Sequence, residues 1–374
     1  MVALPAFCRT VVFACISEYK ASPPHLFYYG GMHMCTAITL QSLQNDRFFA
    51  RNMDFSHDIQ PEMRVMPQNS GWTNVVNGQQ LRSRHAFIGI GQQLEGVLAF
   101  FDGVNEKGFA AAALYFAGYA EYAVYEPGAS TEPVAAYDLL RVMLGNCASV
   151  EELRALLKRV SVVGVADPLT GTVAPLHWIA ADTGGRCVVI EQTVRGLAIL
   201  ENPIGVLANA PDFSWHMTNL NNYTEVSSRQ VEHAQWGNVR LTAFGQAGGT
   251  SALPGGFASP ARFARAAFLK THADTPKGPT EAVITCLHVL ESVSIPRGVV
   301  MTSRATSDYT KYTACINLRT AEYFFRTQDN PQVYTASLRP AADGSKEPFN
   351  YGRLNSPPVT FPAMGTVPGK GTRG

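Results

Sequence analysis

The sequence predicts an α+β fold. Strand-like segments outnumber helical ones, and the helical segments fall in groups between runs of strands. Strands and helices do not alternate one for one, as a doubly wound parallel sheet would require. The first regular segment is 35–41, where Cys35-Thr36-Ala37-Ile38-Thr39-Leu40 alternates polar and apolar residues like a half-buried strand. Further strands are expected at 47–51, 86–91, 96–101 and 109–115. A helix is expected at 134–145, where Val134, Tyr137, Leu140 and Leu144 recur at helical spacing. A second, at 150–159, opens with Ser149-Val150-Glu151-Glu152, a capping box that satisfies free N–H groups at a helix start. Strands at 176–182, 186–192, 196–200 and 205–208 follow, then helices at 215–223, 261–271 and 280–292. Strands at 297–302, 311–318 and 321–326 close the regular part of the chain.

The ends read differently. Residues 1–33 show no clean periodicity. The apolar run Val11 to Ile16 after Arg9 is short for a secretory signal, and no Ala-x-Ala site follows it. Two readings of 1–34 remain: a prosegment removed to expose Cys35, or an over-extended start with the real one at Met32 or Met34. The second is preferred. At the other end, Pro357, Pro358, Pro362 and Pro368 stand among glycines, so 351–374 is expected to be a loose tail. No repeat or linker divides 35–350, which reads as one domain.

Composition excludes several classes of function. In 374 residues, 46% are hydrophobic and 16% charged, enough for a sizeable core. The 30 Lys and Arg against 29 Asp and Glu leave a net charge of +1 with no block of one sign. That argues against a nucleic-acid partner or a polybasic membrane arm. No segment approaches the ~20 apolar residues of a membrane-spanning helix. Seven cysteines with no Cys-x-x-Cys pair argue against a disulfide framework and a structural zinc site, and leave at least one thiol for reactivity. There is no His-Glu-x-x-His, Gly-x-Ser-x-Gly or Walker motif. Gly89-Ile90-Gly91 lacks the third glycine of a dinucleotide fingerprint and reads as a strand end, and His177 reads as a packed strand residue.

What remains is Met34-Cys35-Thr36, followed by Arg51-Asn52-Met53-Asp54. Downstream come Asp102-Gly103-Val104-Asn105-Glu106-Lys107-Gly108, Leu176-His177-Trp178 and Ala208-Asn209-Ala210-Pro211. Trp215 to Leu220, Leu253 to Phe257, Arg262-Phe263 and Tyr309 to Thr313 follow. With these motifs in this order, the sequence resembles the choloylglycine hydrolase family, which contains penicillin V acylases and conjugated bile salt hydrolases. The resemblance runs from about Cys35 to about residue 350. It implies a four-layer αββα N-terminal-nucleophile hydrolase of linear amides, bacterial and cytoplasmic. It also implies a homotetramer acting on a small amide substrate without metal or organic cofactor.

The matched residues make chemical sense together. As a first residue, Cys35 would carry a thiol and a free α-amine whose ordinary pKa values, ~8.5 and ~7.7–8.0, let the amine take the thiol proton. The resemblance places Arg51 beside the thiolate and has Asp54 accept from the α-amine. It makes Asn209 and the Tyr115 backbone N–H the oxyanion donors, and has Arg262 hold Asp54 and the cysteine region. Read without the resemblance, Cys35 fits a small buried strand residue and Arg51–Asp54 a structural ion pair. Asn209 then fits a turn and Arg262 a helix start. Cys147, Cys187, Cys286 and Cys315 sit in apolar patterns as buried thiols.

The substrate question turns on Tyr115-Phe116 and the aromatics at Tyr119, Tyr122 and Tyr125. Many bile salt hydrolases have asparagine at the position of Tyr115, so tyrosine favours a penicillin V acylase. An aromatic wall with Met53, Phe116 and Tyr119 as pocket residues suits a flat phenoxyacetyl group, whereas a steroid needs a broader apolar cleft. The alternative is a conjugated bile salt hydrolase. A remoter one is a non-catalytic binding protein that keeps its leader.

Overall fold

Two antiparallel sheets lie face to face and helices cover their outer surfaces. The structure, a computed structural model, describes residues 34–338 and 347–360. The segment 1–33 and the end of the expected tail, 361–374, lie outside the described residues.

The first sheet runs β14 (Val206–Leu207), β1 (Cys35–Gln41), β2 (Arg47–Phe55), β18 (Ser307–Asn317), β19 (Glu322–Thr327), β20 (Tyr334–Ser337), with β17 (Val300–Met301) beside β18. The second runs β13 (Gly196–Glu201), β12 (Cys187–Thr193), β11 (Leu176–Ala181), β8 (Ala110–Tyr115), β7 (Val97–Asn105), β6 (Phe87–Leu94), β3 (Glu62–Met66), β21 (Phe349–Arg353). Helices α4 (Ser259–His272) and α5 (Pro279–Glu291) pack on the outside of the first sheet, and α1 (Leu139–Asn146) packs on β7 and β8 of the second. The order of layers is therefore αββα.

Both faces of the inner strands are covered, which is why β2 reads as an almost unbroken buried run. Side chains still alternate between faces. On β1, Cys35 turns toward the second sheet and Thr36 toward α4, where its hydroxyl accepts from Arg262. Small residues let α1 approach. A Cβ added at Gly103 of β7 would lie 2.4 Å from Leu144 Cδ1 of α1.

The helix expected at 134–145 is split. Residues Glu132–Ala135 form β9, which pairs in parallel with β10 (Val160–Val163), and α1 begins at Leu139. Pairing with β10 outweighs helical spacing over that first turn. Helix α2 (Val150–Leu157) starts as expected, with Ser149 Oγ accepting from the Glu152 N–H at 3.3 Å. Helices α3 (Phe213–Asn219), α4 and α5 lie close to their expected ranges. Strands β3, β20 and β21 and the hairpins β4 (Gly71–Thr73)–β5 (Gln80–Arg82) and β15 (His233–Trp236)–β16 (Val239–Thr242) are additional. The tail is tied down at its start. Residues 351–353 belong to β21, Leu354 is buried, and its N–H donates to the Pro61 carbonyl. Gln332 reaches Thr360 at 2.7 Å.

The Asp102-to-Gly108 motif has a structural explanation at its centre. Asn105 is fully buried. Its Nδ2 donates to the carbonyls of Leu144 and Cys147 at the end of α1, and its Oδ1 accepts from the N–H groups of Lys107 and Phe109. One side chain thus closes a helix end and the β7–β8 turn. Asn105→Ala is expected to cost about 2–4 kcal/mol, since three buried backbone groups and the more exposed Lys107 N–H lose their partner. A urea denaturation midpoint checks this, and a loss under about 0.5 kcal/mol would contradict it.

Candidate active site

The first sheet supplies the nucleophile candidate and its two neighbours by register. Cys35 pairs with Met53 and Ala37 with Arg51, so Cys35, Arg51 and Met53 share the face turned to the second sheet. Asp54 follows on the opposite face. Cys35 is 2% exposed, and Arg51, Asp54 and Arg262 are fully buried.

Arg51 lies at the centre. Its Nη2 donates to Cys35 Sγ at 2.9 Å. Its Nη1 donates to the Phe101 carbonyl at 3.0 Å and lies 3.5 Å from Asp102 Oδ2, both on β7. Asp102 in turn accepts from the Tyr312 hydroxyl at 2.5 Å and the Tyr323 hydroxyl at 2.8 Å, which come from β18 and β19 of the other sheet. Burial works against the Arg51 charge, but Cys35, Tyr312, Asp102 and Asp54 together hold its pKa above the ordinary arginine value. Burial pushes the Cys35 thiol up, with Asp54 adding to the effect, against the pull of Arg51 and Arg262. With Met34 attached, the thiol is therefore held protonated.

Asn209 forms the second hub. The Cys35 N–H donates to its Oδ1 at 2.7 Å, and Arg262 Nη2 donates to the same oxygen at 2.7 Å. That Cys35 nitrogen is a peptide N–H here and stands where an α-amine would be if Cys35 began the chain. Asn209 Nδ2 donates to the Tyr115 carbonyl at 2.8 Å. The Asn209 backbone is fixed at both ends: its N–H donates to Ser259 Oγ and its carbonyl accepts from His216 Nε2 at 2.8 Å. Burial lowers the His216 pKa to about 4, so the ring is neutral near pH 7. Arg262 also donates to the Cys35 carbonyl, to Thr36 Oγ1 at 2.6 Å and to the Phe257 carbonyl at 2.8 Å.

The sequence-expected residues are thus brought together, with changed partners. Asp54 does not take the Cys35 N–H. Its Oδ1 accepts from Thr310 Oγ1, its Oδ2 has no hydrogen bond, and burial raises its pKa to about 6 against Arg262. Arg262 grips Cys35, Thr36 and Asn209 by hydrogen bonds and acts on Asp54 only through its charge. The sequence reading missed Asp102, Tyr312, Tyr323, Thr310, His216 and Asp308. Asp102 and Tyr312 fall inside quoted motifs, but their pairing spans 210 positions.

An apolar cleft opens beside Cys35. Met53 lines it, as expected, together with Phe55, Phe100, Phe101, Tyr115 and Tyr137 and the aliphatic Leu94, Val97, Leu169 and Leu176. Phe116 and Tyr119 are outside it, contrary to expectation. Tyr115 and Phe116 are consecutive residues of one extended segment, so they point to opposite faces. Phe116 is fully buried and stacks on His177 at 4.4 Å, and Tyr119 covers its other side at 5.3 Å.

Residues 35–349 match the model of the linear amide C–N hydrolases, choloylglycine hydrolase family. The chain belongs to this family. It is a linear amide hydrolase with the N-terminal-nucleophile hydrolase fold. A bile salt hydrolase/transferase of Clostridium perfringens is 35% identical over 303 residues, covering 80% of this chain and 91% of that one. A solved structure of a cysteine-to-alanine mutant of the conjugated bile acid hydrolase from Clostridium perfringens superposes with a TM-score of 0.81. It is 30% identical and covers 88% of this chain and 99% of that one. A penicillin V acylase of Pectobacterium atrosepticum is only 25% identical over 317 residues, covering 78% of this chain and 76% of that one. The preference for a penicillin V acylase drawn from Tyr115 therefore gives way to the bile salt hydrolase alternative.

Asp102→Ala would leave a buried guanidinium and two phenol hydroxyls without their shared acceptor. A loss of about 3–5 kcal/mol is expected, read from the denaturant midpoint. A variant as stable as the parent would show that Arg51 is balanced elsewhere.

Proposed function

We propose that this family member is a conjugated bile salt hydrolase with Cys35 as its nucleophile and first residue. The observation that carries the substrate class is the cleft beside Cys35. Its lining is aliphatic as well as aromatic, a broad apolar surface of the kind a fused-ring acyl group buries. The relatives support the same class. A second solved Clostridium perfringens structure is an arginine-to-leucine variant, and its altered arginine follows that enzyme's altered cysteine by the same 16 positions in sequence that separate Arg51 from Cys35.

In this reading the α-amine freed by loss of Met34 accepts the Cys35 thiol proton, and Arg51 stabilises the thiolate. The thiolate attacks the amide carbonyl. The developing oxyanion is held by the second N–H of Asn209 Nδ2 and by the Tyr115 backbone N–H. Phe116 donates to the Pro175 carbonyl on the β11 side, so alternation turns the Tyr115 N–H the other way. The α-ammonium then protonates the leaving amine, and water, deprotonated by the same amine, releases the acyl group. While Met34 remains, the nucleophile has no base of its own and is latent. Residues 35–350 form the catalytic domain in this reading, and the 1–34 segment is absent from the active chain.

The enzyme is further proposed to be a cytoplasmic homotetramer. The cysteines of the described residues are all free and buried, as suits a reducing compartment. The β15–β16 hairpin is exposed along its whole length and carries Trp236, 73% exposed, and Val239, 59% exposed. That surface suits burial against another copy. Light scattering is expected to give four chains per particle, and a monomer would refute the assembly.

Hydrolysis of glycocholate is expected to exceed that of penicillin V in kcat/KM. The reverse ratio would restore the acylase reading, for which Tyr115 is the specific argument. Cys35→Ser is expected to lose turnover with the fold kept. Asn209→Ala is expected to lower kcat by about 10²–10³, the usual effect of losing one oxyanion donor.

A further inference from the structure

Strand β18 brings a second carboxyl group to the start of β1. Asp308 is fully buried, and neither of its oxygens makes a hydrogen bond of ordinary geometry. A buried carboxyl left in this state is costly, so its neighbours must explain it. Asp308 lies two residues before Thr310, which holds Asp54, so both acids come from paired strands onto the face turned to Arg262. The backbone N–H of Met34 is the nearby donor that acts on Asp308. Met34 is the residue bonded to the Cys35 nitrogen.

Two cations, Arg51 and Arg262, and three acids, Asp54, Asp102 and Asp308, are fully buried in this cluster, and the half-buried Lys311 is a further cation acting on Asp308. The groups acting on Asp308 are Asp54 on β2, Arg262 on α4 and Lys311 on its own strand. Burial and Asp54 raise its pKa to about 7, and Arg262 and Lys311 oppose them. Loss of Met34 would place one further cation, the Cys35 α-ammonium, next to the position that the Met34 N–H occupies.

We propose that Asp308 is the ion partner of the Cys35 α-ammonium and sets the proton balance between that amine and the Cys35 thiol. This rests on the reading that Cys35 becomes the first residue. When the thiol proton moves to the amine, one S–H bond breaks and one N–H bond forms. The Asp308 carboxylate is unchanged by the step. It stabilises the ammonium and so favours the thiolate–ammonium pair over the neutral thiol and amine. Asp54 has one oxygen held by Thr310, whereas both oxygens of Asp308 lack a hydrogen bond. Asp308 is a positioning residue, since it acts on the reacting sulfur through the amine.

The test is the pH profile of Cys35 alkylation by iodoacetamide in the purified, processed enzyme. N-terminal sequencing of each sample comes first: a wild-type chain that does not begin at Cys35 sinks the reading of function and this proposal with it, whereas failure of the proposal alone shows in the profiles of processed chains. In processed Asp308→Asn, thiolate reactivity near pH 7 is expected to fall about tenfold, and its rise is expected to shift up by about one pH unit. Asp308→Glu is expected to recover most of that reactivity. A processed Asp308→Asn with an unchanged profile would overturn the proposal. Should both variants fail to fold, a carbon-13 carboxyl titration of the wild-type enzyme decides the matter. Asp308 ionised at about pH 6 is the expected result, and a protonated Asp308 there overturns it.

Discussion

The structure depends on where one guanidinium can be satisfied. Arg51 is always charged, has no contact with water, and lies between two sheets that have no covalent link at that point. Its partners are a sulfur on β1, carbonyls on β7 and β8, and a carboxylate on β7. Those partners belong to both sheets. The spacing that lets Arg51 reach them all is the spacing of the sandwich, and it is also what holds the Cys35 sulfur at the mouth of the cleft. Asp102 extends the link by accepting from tyrosines on the sheet opposite its own.

Asn209 does the same work at the other side of the sulfur with neutral groups. Its two side-chain atoms and two backbone atoms are held by β1, β8, α3 and the N-terminal turn of α4. Because burial keeps His216 neutral, the bond that fixes the Asn209 carbonyl does not vary across ordinary working pH. The electrostatics near Cys35 are therefore left to Arg51, Asp54 and Arg262, all of them buried.

Much of this was legible because period-2 alternation survives in covered strands. Segments such as 35–41 and 186–192 match β1 and β12 to within a residue. The hairpin β15–β16 left no such trace, since all of its residues face solvent. Strand β3 did leave one, in Glu62-Met63-Arg64-Val65. The β9–β10 pairing is carried by contacts between distant segments, which no local window contains. Within the site, the named residues could be found from motifs, but their partners could not. Thr310 and Asp54 are 256 positions apart, and Arg262 and Cys35 are 227 apart. The error over Phe116 was avoidable, because adjacent residues in an extended segment cannot line the same wall.

The position of Cys35 at the head of β1 bears on how long the site endures. Chain ends usually fray, because little holds them. Strand β1 is an inner strand, with β14 and β2 on its flanks, α4 and α5 on one face and the second sheet on the other. A residue so placed leaves its site only when the centre of the sandwich opens, and such openings carry the free energy of global unfolding. Fraying of β1 would then not displace the sulfur, which reagents meet only through the cleft it lines. The head of this strand would hold its position as firmly as the core does, and displacement of the sulfur from its partners would report unfolding of the whole domain.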